Sequence, residues 1–280
     1  MTKLAAGLLL ARALFAATAV SEGVHVNYES YGKGREALVF VHGWTCDLTF
    51  WRGQAPVYQK YRSLLIDLPG HGESGKPEVA YTQERFARAI EAVMKKEGVD
   101  RGVLIGHSMG GPVAITFLRL FPSKVKGVVM VDSFIPPGES TPDERKQWDA
   151  MAGKFSAVWR GADWKDQAAK FVASMYSEKT NAAVKAEIAS KMIATPNHVR
   201  ASAFEEMFKM PGPKSGESYD VPAAAVVVPS SNRPGAEERT RSLFPKLSKY
   251  EVWDGYGHFL MMEDPAKFNR SLEEFVATLK

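Results

Sequence analysis

A serine flanked by two glycines is the feature of this sequence with the clearest chemistry. Gly106-His107-Ser108-Met109-Gly110 follows the apolar segment 103–105 and precedes a helical pattern that runs to about Leu120. A serine at such a strand–turn–helix corner adopts a strained backbone and projects its hydroxyl outward, and the glycines let strand and helix pass closely. The sequence therefore predicts that Ser108 is a nucleophile.

A histidine late in the chain can supply the base that such a serine needs. A serine hydroxyl attacks readily only when a base removes its proton, and the base is expected in a loop after a late strand. His258 meets this condition, because Gly255-Tyr256-Gly257-His258-Phe259 follows the strand-like segment 250–253. The other five histidines fit structural roles: His25, His42, His71, His107 and His198.

Two backbone N–H groups are expected to stabilise the negative oxygen of a tetrahedral intermediate. Met109 supplies one of them, because it follows the serine at the start of a helix, where the helix dipole favours negative charge. The second is assigned to Trp44, because His42-Gly43-Trp44 follows the apolar segment 37–41 and Gly43 permits a sharp turn. The sequence thus predicts an oxyanion hole formed by the amides of Trp44 and Met109.

Five short motifs, in order along the chain, carry a family resemblance: VFVHGW, DLPGHGES, IGHSMGG, VVMVDS and GYGHF. From about residue 24 to the end, the chain resembles the α/β-hydrolase fold superfamily, in its cap-bearing serine esterase branch. The resemblance implies a mostly parallel central sheet with helices on both faces and a helical cap insertion, and it implies no metal and no organic cofactor. It also implies that Asp67 and His71 brace the turn of DLPGHG.

The position of the acid that would orient His258 differs from the usual pattern of this superfamily. Most members carry an aspartate after the strand that here reads AAAVVV (223–228), but the next five residues, PSSNR, contain no carboxylate. A minority place the acid one strand earlier, where this chain has Asp132. Both loops lie at the carboxyl edge of a parallel sheet, so we predict that Asp132 orients His258 and stabilises its charged form. The alternatives are Glu237 or Glu238 reaching back, or Asn232 as a neutral partner.

The elements that must position these residues follow from the hydrophobic pattern. Apolar strand patterns at 37–43, 63–72, 102–108 and 127–133 alternate with helical patterns such as 81–98, which favours a parallel sheet covered by helices. The segment 24–32 alternates as an edge strand does. The sheet resumes at 223–228 and 250–255, and a final helix begins at about Pro265.

A helical insertion interrupts this alternation. Residues 134–219 lack strand signals, so we predict an α/β-hydrolase core at 21–133 and 220–280 and a cap at 134–219. Because both ends of the insertion lie on the catalytic edge, the cap is expected to cover Ser108 and to form most of an acyl pocket. Candidate lining residues, which at helical spacing can equally form the core of the cap, are Trp148, Met151, Phe155, Trp159 and Met175.

The N-terminal segment predicts export. Lys3, an apolar stretch and Ala17-Thr18-Ala19 fit the pattern of a cleaved secretory signal, although Arg12 interrupts the apolar run. We predict a signal peptide at 1–20, a periplasmic or secreted location, and no stable membrane span after its removal. The alternative is a helical N-terminal extension on a cytoplasmic protein.

Composition narrows the class of ligand. The formal net charge is +4 and the basic residues form no long run, which argues against a nucleic-acid surface. The single cysteine, Cys46, excludes an internal disulfide and a multi-cysteine metal site.

We therefore expect a serine hydrolase that cleaves a small-molecule carboxylic ester or lactone through an acyl-enzyme intermediate. Epoxide hydrolases and haloalkane dehalogenases of this fold use an aspartate nucleophile, so Ser108 argues against both. A carbon–carbon bond hydrolase or a cofactor-free peroxidase would retain the same residues. The alternative of another class is a ligand-binding protein of this fold without turnover.

Overall fold

The sheet is mixed and mostly parallel, as the sequence predicts. The computed structural model describes residues 17–136 and 142–279. Within them, the strands are β1 (Ala17–Ser21), β2 (Val24–Tyr31), β3 (Glu36–Val41), β4 (Ser63–Ile66), β5 (Arg101–His107), β6 (Val125–Val131), β7 (Ala223–Val227) and β8 (Leu247–Val252). Their spatial order is β1-β2-β4-β3-β5-β6-β7-β8. The pairs β1–β2 and β2–β4 are antiparallel, and every later pair is parallel.

Helices cover the sheet and form the region between β6 and β7. They are α1 (Ala55–Tyr58), α2 (Gln83–Lys96), α3 (Gly110–Leu120), α4 (Pro142–Arg160), α5 (Trp164–Ala173), α6 (Ala182–Ala194), α7 (Asn197–Lys209), α8 (Ala236–Leu243), α9 (Leu260–Glu263) and α10 (Pro265–Ala277). Short 3-10 turns occupy Leu48–Gln54 and Pro122–Lys124. In the described part of the chain, no helix is both long enough and apolar enough to cross a membrane.

Helix α2 shows how local sequence fixes an element. The Thr82 hydroxyl accepts a hydrogen bond from the Arg85 N–H group (3.1 Å) and so caps the N-terminus, while Gly98, at φ +64°, lies just past the C-terminus. The apolar stripe of the helix is fully buried and consists of Phe86, Ile90, Val93 and Met94. Burying each such side chain contributes about 1.5–3 kcal/mol, so this face anchors the helix to the sheet.

The first strand lies where the sequence suggested the end of a signal peptide. Strand β1 pairs with β2 along its whole length, and Ala19 is buried while Val20 is exposed. The expectation that 24–32 is an edge strand is therefore wrong, because β1 forms that edge of the sheet. Residues 1–16 lie outside the described part, so the signal peptide and export stay predictions. Cleavage after Ala19 would remove three of the five residues of β1.

The turn after β4 is braced by a buried carboxylate. Asp67 accepts hydrogen bonds from the backbone N–H groups of Leu48 (2.7 Å) and Glu73 (2.9 Å) and from the side-chain amide of Asn27 (2.8 Å). The ring of His71 donates through Nδ1 to the Pro69 carbonyl (3.0 Å). These contacts agree with the bracing role that the family resemblance implies for Asp67 and His71.

The parallel strands bring six loops to one edge. Register pairs Val41 of β3 with Gly106 of β5, and Val131 of β6 with both His107 of β5 and Val226 of β7. Because parallel strands end at the same edge, the residues that follow β3, β4, β5, β6, β7 and β8 lie together there. Helices α4–α7, from the segment expected to form the cap, pack against this edge through contacts described below.

Candidate active site

Ser108 occupies the strained corner that its motif predicts. Its φ angle is +52°, in the left-handed region that a residue with a side chain rarely adopts. The surrounding backbone holds it there, because its N–H donates to the Val131 carbonyl (3.0 Å) and its carbonyl accepts from Gly111 N–H (3.0 Å) and from the Ser133 hydroxyl (2.6 Å). The side chain is half-buried, at the point where β5 meets α3.

The glycines around Ser108 are required by close backbone approach. A Cβ atom on Gly106 would lie 2.3 Å from the Gly110 carbonyl oxygen, and one on Gly110 would lie 2.4 Å from the Val41 carbonyl oxygen. Both distances are far below van der Waals contact, so any larger residue would push α3 away from the sheet. A Cβ atom on Gly43 would lie 3.1 Å from the Ser108 Cβ atom, which places the turn after β3 directly beside the serine.

His258 forms a hydrogen bond with Asp132. The distance between His258 Nδ1 and Asp132 Oδ2 is 2.5 Å, and the Asp132 side chain is fully buried. Because a carboxylate only accepts hydrogen bonds, Nδ1 carries the proton and Nε2 is left as the basic nitrogen. Within the described residues, His258 Nε2 accepts no hydrogen bond and the Ser108 hydroxyl does not donate to it. Such open geometry is common in catalytic sites before a substrate binds.

The loop after β7 contributes donors to the acid instead of an acid of its own. Asp132 Oδ1 accepts from the Val228 N–H group (2.9 Å), and Oδ2 accepts from the Ser231 hydroxyl (3.0 Å). Together with His258, these donors satisfy a buried carboxylate, which would otherwise be costly. Neither donor was predicted from the sequence, although Ser231 in PSSNRP was a signal for the hydroxyl.

The alternative acids do not contact His258. Asn232 accepts a hydrogen bond from the Tyr250 hydroxyl (3.0 Å). Glu237 pairs with Arg241 in α8 (2.7 Å), and Glu238 lies beside it in the first turn of that helix. Of the four candidates that the sequence offers, only Asp132 is hydrogen-bonded to the histidine.

The turn after β3 fixes the orientation of the Trp44 amide. The Gly43 carbonyl accepts from His42 Nδ1 (2.8 Å) and from Cys46 N–H (3.2 Å). In a trans peptide the C=O and N–H groups point in opposite directions, so holding the Gly43 carbonyl also fixes the direction of the Trp44 N–H group. Neither the Trp44 amide nor the Met109 amide donates to any described residue, which leaves both available to a ligand oxygen.

His42 and His107 are buried histidines that support this site. Burial lowers the pKa of both rings, so both are neutral at pH 7. His107 donates through Nε2 to the carbonyl oxygen of His258 (2.9 Å), and the two rings lie 4.6 Å apart. From the sequence, His107 was expected to have a structural role only, because a contact with residue 258 has no local signature.

Comparison with known proteins identifies the family. A family model described as alpha/beta hydrolase fold matches residues 36–202, which is more than half of the chain. The chain belongs to the α/β-hydrolase fold family.

Individual α/β-hydrolases resemble this chain over different lengths. The 2-hydroxy-6-oxononadienedioate/2-hydroxy-6-oxononatrienedioate hydrolase of Burkholderia vietnamiensis is 34% identical over 116 residues, which is 39% of this chain and 40% of that protein. Matches to curated relatives span only 29% to 42% of the length of those proteins.

Solved structures match the whole fold. Est816, an N-acyl homoserine lactone degrading enzyme, is 24% identical with a TM-score of 0.78, over 92% of this chain and all of that chain. A thermophilic esterase from Thermogutta terrifontis is 23% identical with a TM-score of 0.80, over 95% and 99% of the two chains. At this level of identity the likeness shows the shared fold.

In this α/β-hydrolase, the helical insertion region contacts two of the loops at this edge of the sheet, those that contain Trp44 and His258. The Trp44 indole Nε1 donates to the Arg200 carbonyl of α7 (2.9 Å), and the His258 N–H donates to the Met175 carbonyl that follows α5 (2.9 Å). The ring of Trp44 packs 5.1 Å from the rings of Trp159 and Phe204.

The candidate lining residues differ in their surroundings. Trp159 is buried beside Trp44, whereas Phe155 packs on Phe204 at 5.1 Å and Trp148 packs on Phe208 at 5.4 Å. The Met151 side chain lies outside the described part. Trp159 therefore lies next to the turn after β3, while Trp148 and Phe155 pack against aromatic rings of α7.

Proposed function

We propose that this protein is a serine hydrolase that cleaves a carboxylic ester or lactone through an acyl-enzyme intermediate. The observation that carries the proposal is the Asp132–His258 hydrogen bond at the sheet edge where Ser108 occupies its strained corner. A base with an oriented tautomer, beside a serine and two unengaged amides, is the arrangement that acyl transfer needs.

The proposed reaction follows from the roles of these groups. Ser108 Oγ attacks the substrate carbonyl carbon while His258 Nε2 takes the hydroxyl proton, and Asp132 stabilises the imidazolium that results. The Trp44 and Met109 amides stabilise the negative oxygen of the tetrahedral intermediate. His258 then gives the proton to the departing alkoxide, and a water molecule, activated in the same way, hydrolyses the acyl-enzyme.

The similarity to structures described as a lactonase and an esterase supports this substrate class. A second candidate is hydrolysis of a carbon–carbon bond beside a ketone, which the same residues could perform. It is favoured by the similarity to the Burkholderia enzyme, whose named substrates are oxo acids rather than esters.

The test compares the wild-type protein with Ser108→Ala. The wild type should react with a fluorophosphonate and hydrolyse members of a panel of p-nitrophenyl esters and lactones, whereas Ser108→Ala should stay folded, remain unlabelled and lose about 10⁶-fold in kcat. Ser230→Ala is the matched control, because Ser230 is exposed in the loop after β7 and should keep wild-type activity.

Near wild-type turnover in purified Ser108→Ala would exclude the nucleophile assignment. A wild-type protein that is neither labelled nor active on any ester or lactone would instead favour a ligand-binding role. Labelling together with activity on a ketone substrate alone would favour the carbon–carbon bond hydrolase.

A further inference from the structure

The turn that carries the Trp44 amide, residues 43–46, is held from outside by the insertion. The Thr195 hydroxyl donates to the Thr45 carbonyl (3.2 Å), and the Trp44 indole donates to the Arg200 carbonyl (2.9 Å). Thr195 directly follows α6, and Arg200 lies in the first turn of α7. Both contacts therefore come from one short segment at the junction of these two helices.

The turn needs such support because its own conformation is unfavourable. Thr45 has a φ angle of +56°, and a β-branched residue is rarely found in this left-handed region. A strained backbone persists only where surrounding contacts determine it. The Thr195 hydrogen bond acts on the carbonyl of this strained residue, two peptide units along the chain from the Trp44 N–H group.

The segment that provides the support is itself rigidly built. Arg200 is buried, and its guanidinium donates to the carbonyls of Ile193 (3.0 Å) and Thr195 (2.8 Å) at the end of α6. The same guanidinium stacks 3.9 Å from the ring centre of Trp164. Thr195 is also buried, so its hydroxyl has little competition from water.

We propose that Thr195 is a positioning residue that holds the oxyanion turn, so that the cap completes the oxyanion hole. The inference rests on the proposed function, and it assigns to the cap a role in transition-state stabilisation in addition to any role in substrate binding. Thr195 does not touch the reacting atoms. It acts by keeping the Trp44 N–H group aimed at the place where negative charge develops.

The experiment removes the hydroxyl while keeping the shape of the side chain. Thr195→Val should lower kcat for p-nitrophenyl butyrate by about 10- to 100-fold with KM nearly unchanged, because a displaced donor weakens only transition-state binding. Affinity for an alkyl trifluoromethyl ketone, which forms a tetrahedral adduct with the serine, should fall by a similar factor, and so should the rate of fluorophosphonate labelling. Thr195→Ser retains the donor and should restore all three values.

The matched control is Thr116→Val. Thr116 is a buried threonine of α3 whose hydroxyl contacts the Met210 sulfur (3.7 Å), just past α7, so the variant removes a hydroxyl at another contact with the insertion. It should leave kcat and ketone affinity unchanged. If Thr195→Val does not fold, Thr195→Ala removes the same donor and serves in its place.

Three results would overturn the proposal. They are a Thr195→Val protein with wild-type kcat and ketone affinity, labelling of Thr195→Val at the wild-type rate, and an equal loss in Thr116→Val, which would mean a general loosening of the insertion. If the wild type itself is not labelled at Ser108, the proposed function fails and this role fails with it. Labelling of the wild type and Thr195→Val at equal rates contradicts only the role of Thr195.

Discussion

Replacing Asp132 with asparagine should reverse the position of the proton on His258. Asp132 accepts hydrogen bonds from Val228 N–H, the Ser231 hydroxyl and His258 Nδ1. An asparagine has one accepting oxygen and one NH₂ group that only donates. Because the backbone N–H of Val228 must be met by an acceptor, the amide oxygen takes that side and the NH₂ group faces His258. The ring then presents a lone pair at Nδ1 and carries its proton on Nε2.

A histidine with its proton on Nε2 cannot accept the proton of Ser108. We therefore expect Asp132→Asn to lower kcat by about 10⁴-fold, which corresponds to about 5.5 kcal/mol of transition-state stabilisation. KM should change little, because Asp132 is fully buried behind the histidine and does not reach the substrate. The protein should remain folded, since asparagine has nearly the same shape as aspartate.

The assay is steady-state hydrolysis of p-nitrophenyl esters by the wild type, Asp132→Asn and two neighbouring variants. Asn232→Ala is the matched control, because Asn232 contacts Tyr250 and neither member of the pair, so its activity should stay at the wild-type level. Ser231→Ala leaves the carboxylate and two of its donors and should cost far less than Asp132→Asn. A loss below tenfold in Asp132→Asn, or a larger loss in Asn232→Ala, would refute this reasoning and place the orienting group after β7.

Two further predictions concern acid stability and substrate length. Burial lowers the pKa of His71 to about 3 and also lowers the pKa values of His42 and His107. The unfolded chain therefore binds protons that the folded chain does not, and the free energy of unfolding should fall as pH drops from about 6.5 towards 3, by up to about 1.4 kcal/mol per pH unit for each histidine. Urea titrations of the wild type from pH 7.5 to 5 test this, and a flat profile would contradict it. Trp159→Phe should change the ranking of p-nitrophenyl esters by acyl length while fluorophosphonate labelling persists, because this buried ring packs 5.1 Å from Trp44. A change in stability alone would mean that this part of the insertion does not set chain-length preference.

The fold and the serine corner could be predicted because their causes are local or periodic. A buried parallel strand has the pattern of a short apolar run, and the close approach of α3 to β5 and β3 excludes a side chain at Gly106 and Gly110. Both requirements leave direct marks in the sequence. Asp132 was predicted because the residues directly after β7 contain no acid and the resemblance implies that a minority of the family place the acid one strand earlier, at the same edge of a parallel sheet.

The contacts that complete the site could not be predicted because they join residues far apart in the chain. The His107 ring donates a hydrogen bond to the carbonyl of residue 258, and the Thr195 hydroxyl donates one to the carbonyl of residue 45. A carbonyl group is present at every position, so no residue type marks the acceptor. Strand β1 was missed for another reason, since a short alanine-rich and valine-rich segment has the same composition at the end of a signal peptide as in an edge strand.

The register of β6 and β7 explains why the acid can follow β6 in this chain, instead of β7 as in most members of the superfamily. Val131 lies opposite Val226, and the Asp132 N–H donates to the Val226 carbonyl (2.7 Å), so the residues that follow the two strands are adjacent. A carboxylate on either loop is therefore within reach of the same histidine. Once the acid lies on β6, the loop after β7 is free to supply donors, and the Val228 N–H group and the Ser231 hydroxyl fill that need. Ser231 in PSSNRP thus has a physical reason to be there: a fully buried carboxylate needs hydrogen-bond donors, and the loop after β7, which has no acid, is the one placed to provide them.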